Sequence, residues 1–175
     1  KFLHKRKGYM VVAEAGDMLF AGLDIKVGHE GTYLAQGYYA SMGFGIPGAL
    51  GAQIGTGQRP IVLCGDGAFQ MTGPEISHAP RYKLNPIIVL MNNAGWGIFR
   101  PVTERKDLLA LPNWPYAQLA EAWGGKGFHA HTVGELRDAL AAAHELPSFV
   151  IIEVQVDPQD LSPVTLKYIK ASVGK

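Results

Sequence analysis

Three segments of this chain are nearly unbroken runs of β-branched and aliphatic residues: 60–64 (PIVLC), 86–91 (PIIVLM) and 149–156 (FVIIEVQV). A strand with one wet face alternates apolar and polar residues. Runs of this kind therefore read as strands buried on both faces, the condition of a parallel sheet held between two helical layers. Tyr9–Ala13 (YMVVA) and 127–130 are further strand candidates. Helical periodicity fills the intervals at 46–54, 74–82, 116–123, 133–146 and 165–171. Thr72 with Glu75 three residues on, and Pro74 in the first turn, predicts a capping-box start for the second of these helices. The alternation predicts an α/β fold: a three-layer, doubly wound, mostly parallel sheet with helices on both faces.

At 175 residues and 47% hydrophobic content the chain holds one domain with a full core. Sixteen basic residues nearly balance fifteen acidic ones, and the basic cluster is confined to KFLHKRK at residues 1–7. That leaves no footprint for nucleic acid, and residues 1–8 read as a linker or ragged end before a domain over 9–175. The chain opens without methionine on this segment, the pattern of a domain cut from a longer protein. No apolar run approaches the roughly 20 residues that span a bilayer, and no signal-peptide pattern is present, so no membrane partner is expected. Cys64 is the single cysteine and sits in an apolar run. It reads as a buried, inert thiol in a reducing compartment, hence a cytoplasmic protein.

In a doubly wound sheet, ligands bind outside the carboxyl ends of the strands. Three loops of unusual composition fall there: AEAGDMLF after the first strand, GDGAFQMT after the second and NNAGWGIF after the third. In Gly65-Asp66-Gly67 the glycines let the backbone turn tightly and approach a ligand, and N–H groups at a following helix start suit a phosphate. A carboxylate beside phosphate is repulsive unless a divalent cation lies between them, and Mg²⁺ is commonly shared in this way. Taken alone, Gly-Asp-Gly reads first as a plain turn, and the motif is weak. Asn92-Asn93 follows Gly67 after 24 residues, the length of one helix and one strand, which brings both loops to one edge. Its amide and nearby carbonyl oxygens are neutral donors that complete a hard-cation shell without adding negative charge.

Gly65-Asp66-Gly67 with Asn92-Asn93 resembles the signature of thiamine-diphosphate enzymes, in their diphosphate-binding domain. The resemblance covers essentially the whole chain. Its subgroup features, GYYASMGFGIPGALGAQ at 37–53, GDGAFQMTGPE and the tail LSPVTLKYI, are similar to indolepyruvate and phenylpyruvate decarboxylases. The resemblance implies thiamine diphosphate and Mg²⁺ as cofactors. Asp66, the Asn93 side chain and the Gly95 carbonyl would ligate the metal. Gly65, Gly67, Ala68, Asn93, Gly97 and Ile98 would line the diphosphate site, with Gly16 and Asp17 beside it. Met42 would wedge under the link between the cofactor's rings while Ala40 and Met42 hold its aminopyrimidine. From its composition alone, Met42 reads as ordinary core.

The chain departs from the related pyruvate decarboxylases at two positions. A glutamate found there six residues after the metal-ligating asparagine is Phe99 here, which favours a large apolar 2-oxo acid and makes Phe99 a candidate pocket wall. Asp17 replaces a hydroxyl residue, and its contact is expected on the pyrimidine side or the backbone. The activating glutamate and the histidine pair of the family would come from a pyrimidine-binding domain of the same or a neighbouring subunit, in a homodimer or homotetramer. His4, His29, His78, His129, His131 and His144 form no such pair, although strand alternation puts His129 and His131 on one face. The implied activity is non-oxidative decarboxylation of a 2-oxo acid to an aldehyde and CO₂. An acetolactate-synthase-like carboligase, one subunit of a split decarboxylase, or a binding module without turnover on its own are the alternatives.

Overall fold

The computed structural model describes residues 2–3, 7–27 and 31–173. Lys1, His4, Lys5 and Arg6 of the basic run, and His29, lie outside the described residues. In chain order the elements are β1 (Tyr9–Ala13), α1 (Asp17–Gly22), β2 (Tyr33–Ala35), α2 (Gly45–Thr56), β3 (Arg59–Gly65) and α3 (Asp66–Thr72). A 3-10 segment (Gly73–His78) and α4 (Ala79–Tyr82) precede β4 (Ile87–Asn92). Then follow α5 (Tyr116–Ala122), β5 (Lys126–Ala130), α6 (Val133–Glu145), β6 (Val150–Gln155) and α7 (Pro163–Val173). The six strands form one sheet in the order β2-β1-β3-β4-β6-β5, with every pairing parallel.

The unbroken apolar runs serve two layers. Val62, Cys64, Ile88, Leu90 and Ile151 face a core completed by Ile46 and Ala49 of α2, Phe69 of α3 and Tyr116 of α5. Their neighbours Ile61, Ile87, Val89, Val150 and Ile152 face the other side, against Ala139 and Ala143 of α6. Ile87, Ile88, Ile151 and Ile152 are fully buried, and each such side chain contributes about 1.5–3 kcal/mol relative to exposure. Cys64 is buried as expected, and burial, together with the nearby Glu14 and Asp66 charges, pushes its thiol well above the ordinary range.

The chain runs from β1 outward to β2 and returns to place β3 on β1's other side, so the strand order reverses between β1 and β3. Crevices at such reversals are where open α/β sheets bind ligands. Ala13 pairs with Leu63 and Gly65 with Met91, so the loops after β1, β3 and β4 leave the sheet side by side.

Some expectations need correction. The helix predicted over 74–82 is a 3-10 segment followed by a single α-turn, and a separate helix, α3, begins earlier at Asp66 itself. Pro74 and Pro80 each lack an N–H to continue an α-helical ladder. No capping box forms at Thr72, because its hydroxyl donates to the Gly43 carbonyl at 2.7 Å. The box forms instead at Thr132 and Glu135, at the start of α6. The three-residue β2 and the short α1 were not signalled by periodicity. His129 lies on β5, whereas His131 follows the strand's last residue.

Candidate functional site

The site grows from the ends of the three adjacent strands. After β1, the fully buried Glu14 carboxylate accepts from the Ala15 N–H at 2.8 Å and from the Gly45 N–H at 2.6 Å, which ties this loop to the first residue of α2. Gly16 then adopts φ 103°, ψ −153°, a backbone region essentially closed to residues with a Cβ.

After β3, Asp66 opens α3 and is 3% exposed. Its Oδ1 accepts from the Gly67 N–H at 2.9 Å and its Oδ2 from the Gly95 N–H at 3.0 Å. Burial raises the Asp66 carboxyl above its usual value, and these backbone donors act in the opposite sense. A Cβ on Gly67 would stand 2.6 Å from the Trp96 ring, so the indole lies directly over this glycine.

After β4, Asn93 Oδ1 accepts from the same Gly95 N–H at 3.2 Å. The carboxylate of Asp66 and the amide oxygen of Asn93 thus converge on one backbone donor. The Gly95 carbonyl accepts from Gly97 N–H at 2.9 Å, using one of its two lone pairs. The turn is pinned from outside by Trp96 N–H to Leu109 C=O at 2.9 Å and Leu111 N–H to Ala94 C=O at 3.3 Å.

These loops enclose a cavity of about 340 Å³. The first loop contributes Gly16 and Asp17; the second contributes Gly65, Asp66, Gly67 and Ala68; the third contributes Asn93, Gly95, Gly97 and Ile98; Met42 closes another side. Met42 also packs on the core. Ala40, at φ 49°, and Phe99, 42% exposed, do not line the cavity.

Asp17 borders the cavity but spends its carboxylate elsewhere. It accepts from the Ser162 hydroxyl at 2.7 Å, from the Ser162 N–H at 3.3 Å and from the Thr165 hydroxyl, at the start of α7. Sequence reasoning missed this tail segment, together with Trp96 and Asp160, as cavity walls. The signal was present: residues 156–163 follow the carboxyl end of β6, at the edge where ligands bind.

Among the described residues, three aspartates line the cavity, and no lysine, arginine or histidine does. Among the described residues no group of three or more His, Cys, Asp or Glu side chains forms a metal cluster. Asp66, whose oxygens carry backbone donors, could hold a cation together with the neutral oxygens of Asn93 and Gly95.

Residues 14–154 match the family described as thiamine pyrophosphate enzyme, C-terminal TPP binding domain. The chain is 36% identical over 163 residues to an indole-3-pyruvate decarboxylase of Azospirillum brasilense, covering 92% of this chain and 29% of that protein. It is 34% identical over 158 residues to a pyruvate decarboxylase of Neurospora crassa, covering 85% of this chain and 27% of the relative. An alpha-keto-acid decarboxylase of Mycolicibacterium paratuberculosis is 30% identical over 169 residues, covering 93% of this chain and 30% of the relative. The chain therefore spans less than a third of the length of these relatives. With a matching fold, a cavity at the strand-order reversal and a family match across most of its length, this chain belongs to the C-terminal thiamine-pyrophosphate-binding domains of the thiamine pyrophosphate enzymes.

Proposed function

We propose that residues 9–175 anchor thiamine diphosphate through Mg²⁺ in a non-oxidative 2-oxo acid decarboxylase, with Asp66, the Asn93 side chain and the Gly95 carbonyl as metal ligands. The observation that carries this reading is the charge of the cavity, whose ionisable walls among the described residues are all aspartates. Such a cavity repels a diphosphate unless a divalent cation intervenes, and Mg²⁺ typically joins one or two carboxylates to phosphate oxygens. The fit extends to the backbone. Gly67 and Ala68 in the first turn of α3, and Gly97 and Ile98 across the cavity, offer close main-chain approach to phosphate oxygens.

When bound, thiamine diphosphate supplies the electron sink on which a 2-oxo acid loses CO₂. The chain's own residues bind and orient. Met42, on the cavity wall, would lie under the link between the cofactor's rings, and the backbone of Met42 and of Ala40, two residues earlier, would hold the aminopyrimidine. Glu14 keeps the Met42 segment in register with the Gly16 loop through its bonds to Gly45 and Ala15. The acid-base groups come from a pyrimidine-binding domain of the same or a neighbouring subunit of a homodimer or homotetramer. Tyr38 and Tyr39, 90% and 79% exposed and packed edge-to-face, lie on the Met42 segment and suit burial against that partner.

An indolepyruvate-type or other aryl 2-oxo acid is the favoured substrate, because Phe99, outside the cavity wall but 42% exposed and next in sequence to the cavity-lining Ile98, offers an apolar surface where related pyruvate decarboxylases carry a carboxylate. Two measurements on the full-length protein test the reading. Calorimetric titration with thiamine diphosphate should show Mg²⁺-dependent binding. Asp66→Ala should remove it by more than the roughly 10- to 100-fold typical of an outer-shell change, and unchanged affinity would count decisively against the site. CO₂ release compared across pyruvate, phenylpyruvate, indolepyruvate and benzoylformate tests the substrate class, and a preference for pyruvate would refute the role of Phe99.

A further inference from the structure

We propose that Asn92 and Glu153 form a buried polar pair that positions the metal-holding turn, a role that rests on the metal reading above. The two residues sit near the carboxyl ends of the paired strands β4 and β6. Both are removed from solvent, Asn92 at 1% and Glu153 at 7% exposure. Burying a carboxylate is costly unless its oxygens are satisfied, and here each oxygen has a partner. Glu153 Oε1 accepts from Asn92 Nδ2–H at 2.9 Å, and Oε2 accepts from the Ala117 N–H at 3.3 Å, in the first turn of α5. No lysine or arginine among the described residues pairs with it; the half-exposed His129 ring stands 3.5 Å away.

Asn92 is held from every side. Its second amide hydrogen goes to Asn113 Oδ1 at 3.0 Å, and its Oδ1 accepts from the Ala94 N–H at 3.1 Å. Only this orientation of the amide satisfies its neighbours. A flipped amide would turn oxygen toward the Glu153 carboxylate and NH₂ toward an N–H. The Asn92–Ala94 bond closes an Asx turn, and Ala94 within it takes φ 56°, which residues with a Cβ seldom adopt. Asn93 lies inside this turn and Gly95 immediately after it. The placement of the Gly95 N–H that reaches both Asp66 and the Asn93 amide oxygen is therefore set by Asn92, and the orientation of Asn92 is set by Glu153.

A polarity-inverted pair separates this role from simple core filling. Asn92→Asp brings two carboxylates into the 2.9 Å contact and breaks it. Adding Glu153→Gln restores one donor and one acceptor with the net charge of the natural pair. The introduced amide NH₂ then donates to the introduced carboxylate, while the amide oxygen keeps the Ala117 N–H. The second oxygen of that carboxylate keeps the Ala94 N–H, and the exposed Asn113 amide turns over to donate where it had accepted.

The experiment titrates Mg²⁺ against the full-length protein at fixed thiamine diphosphate, reading half-saturation by calorimetry and Tm without metal. Asn92→Asp is expected to need about 10- to 100-fold more Mg²⁺. The double variant is expected to return to within about threefold of wild type, by the logic of a coupled pair. A double variant that regains Tm but not Mg²⁺ affinity overturns the proposal, as does Asn92→Asp with wild-type Mg²⁺ dependence. Should Asn92→Asp fail to fold, Glu153→Gln alone carries the test. It is expected to weaken Mg²⁺ half-saturation several-fold, and no change there overturns the proposal. A wild-type protein that binds thiamine diphosphate without Mg²⁺ defeats the metal reading itself, and this role falls with it.

Discussion

A single methyl group at Gly97 separates metal geometry from fold stability. Gly97 is buried at the start of a 3-10 turn and does not adopt a positive φ, so alanine meets no backbone penalty there. The cost comes from a neighbour. The new carbon would stand 2.3 Å from Asn93 Nδ2, against an ordinary contact of 3.4 Å or more, so the amide must retreat by about 1 Å. The amide is planar, and its oxygen moves with its nitrogen. Mg²⁺ demands near-ideal octahedral geometry at about 2.0–2.1 Å, whereas Ca²⁺ tolerates 2.3–2.6 Å and irregular shells. Gly97→Ala is therefore expected to weaken Mg²⁺-dependent thiamine diphosphate binding on the order of 10- to 100-fold, with a clearly smaller loss for Ca²⁺. Metal-free stability should fall by only about 1 kcal/mol, because the Gly95 N–H shared with Asn93 still has Asp66 as acceptor. The assay is half-saturation under each cation, with a urea midpoint on metal-free protein. Equal losses for both cations together with a large fall in the midpoint would mean general misfolding, and unchanged Mg²⁺ dependence would remove Asn93 from the site.

Three further outcomes follow from the packing. The Cys64 thiol lies well above its ordinary 9.0 and the Tyr116 hydroxyl is pushed up to about 12, both chiefly by burial. Their neutral forms stabilise the fold fully below the unfolded values, so this contribution should decline as pH rises above about 9; urea midpoints from pH 8 to 11 check it, and rapid alkylation of native Cys64 at pH 8 would contradict it. Asp17→Ala removes the acceptor for Ser162 and Thr165 and should ease local opening of α7 by about 2 kcal/mol, roughly 30-fold faster amide exchange over that helix; unchanged exchange would refute the clamp. A methyl at Gly127 would stand 2.0 Å from the Ala117 carbonyl oxygen, a clash between two backbones, so Gly127→Ala should cost about 3 kcal/mol in urea denaturation. An unchanged midpoint would mean that α5 does not rest on β5 as described.

The sheet was legible because its central strands have no wet face, and continuous Ile/Val/Leu runs have few other uses. The edge strand β2 was not, being three residues long and only partly buried. Local patterns failed where a distant group competed. Thr72 and Thr132 both stand three residues before a glutamate, yet only Thr132 caps a helix, since the Thr72 hydroxyl finds the Gly43 carbonyl, 29 positions back. In the site, the loops carrying Asp66, Asn93 and Met42 could be placed from spacing and resemblance. The partners that hold them could not. Asn92 reaches Glu153 across 61 residues and Asp17 reaches Ser162 across 145, and no periodicity records such pairs.

Two Gly-Asp pairs, 16–17 and 65–66, end or follow neighbouring strands and look alike in sequence. Their surroundings give them opposite duties. Three donors from Ser162 and Thr165 gather on Asp17, two of them hydroxyls, so its charge is spent on the start of α7. Asp66 receives one fixed backbone N–H on each oxygen. A carboxylate offers about four acceptor positions, and backbone donors in these places hold the group still while leaving lone pairs for a cation. Neither donor is a flexible side chain that must be displaced for a metal to bind. The same burial that disfavours the free charge of Asp66 also raises the gain when a divalent cation arrives. On the proposed reading, the metal-holding role falls to Asp66 through the kind of donors around it, although both aspartates border the same cavity.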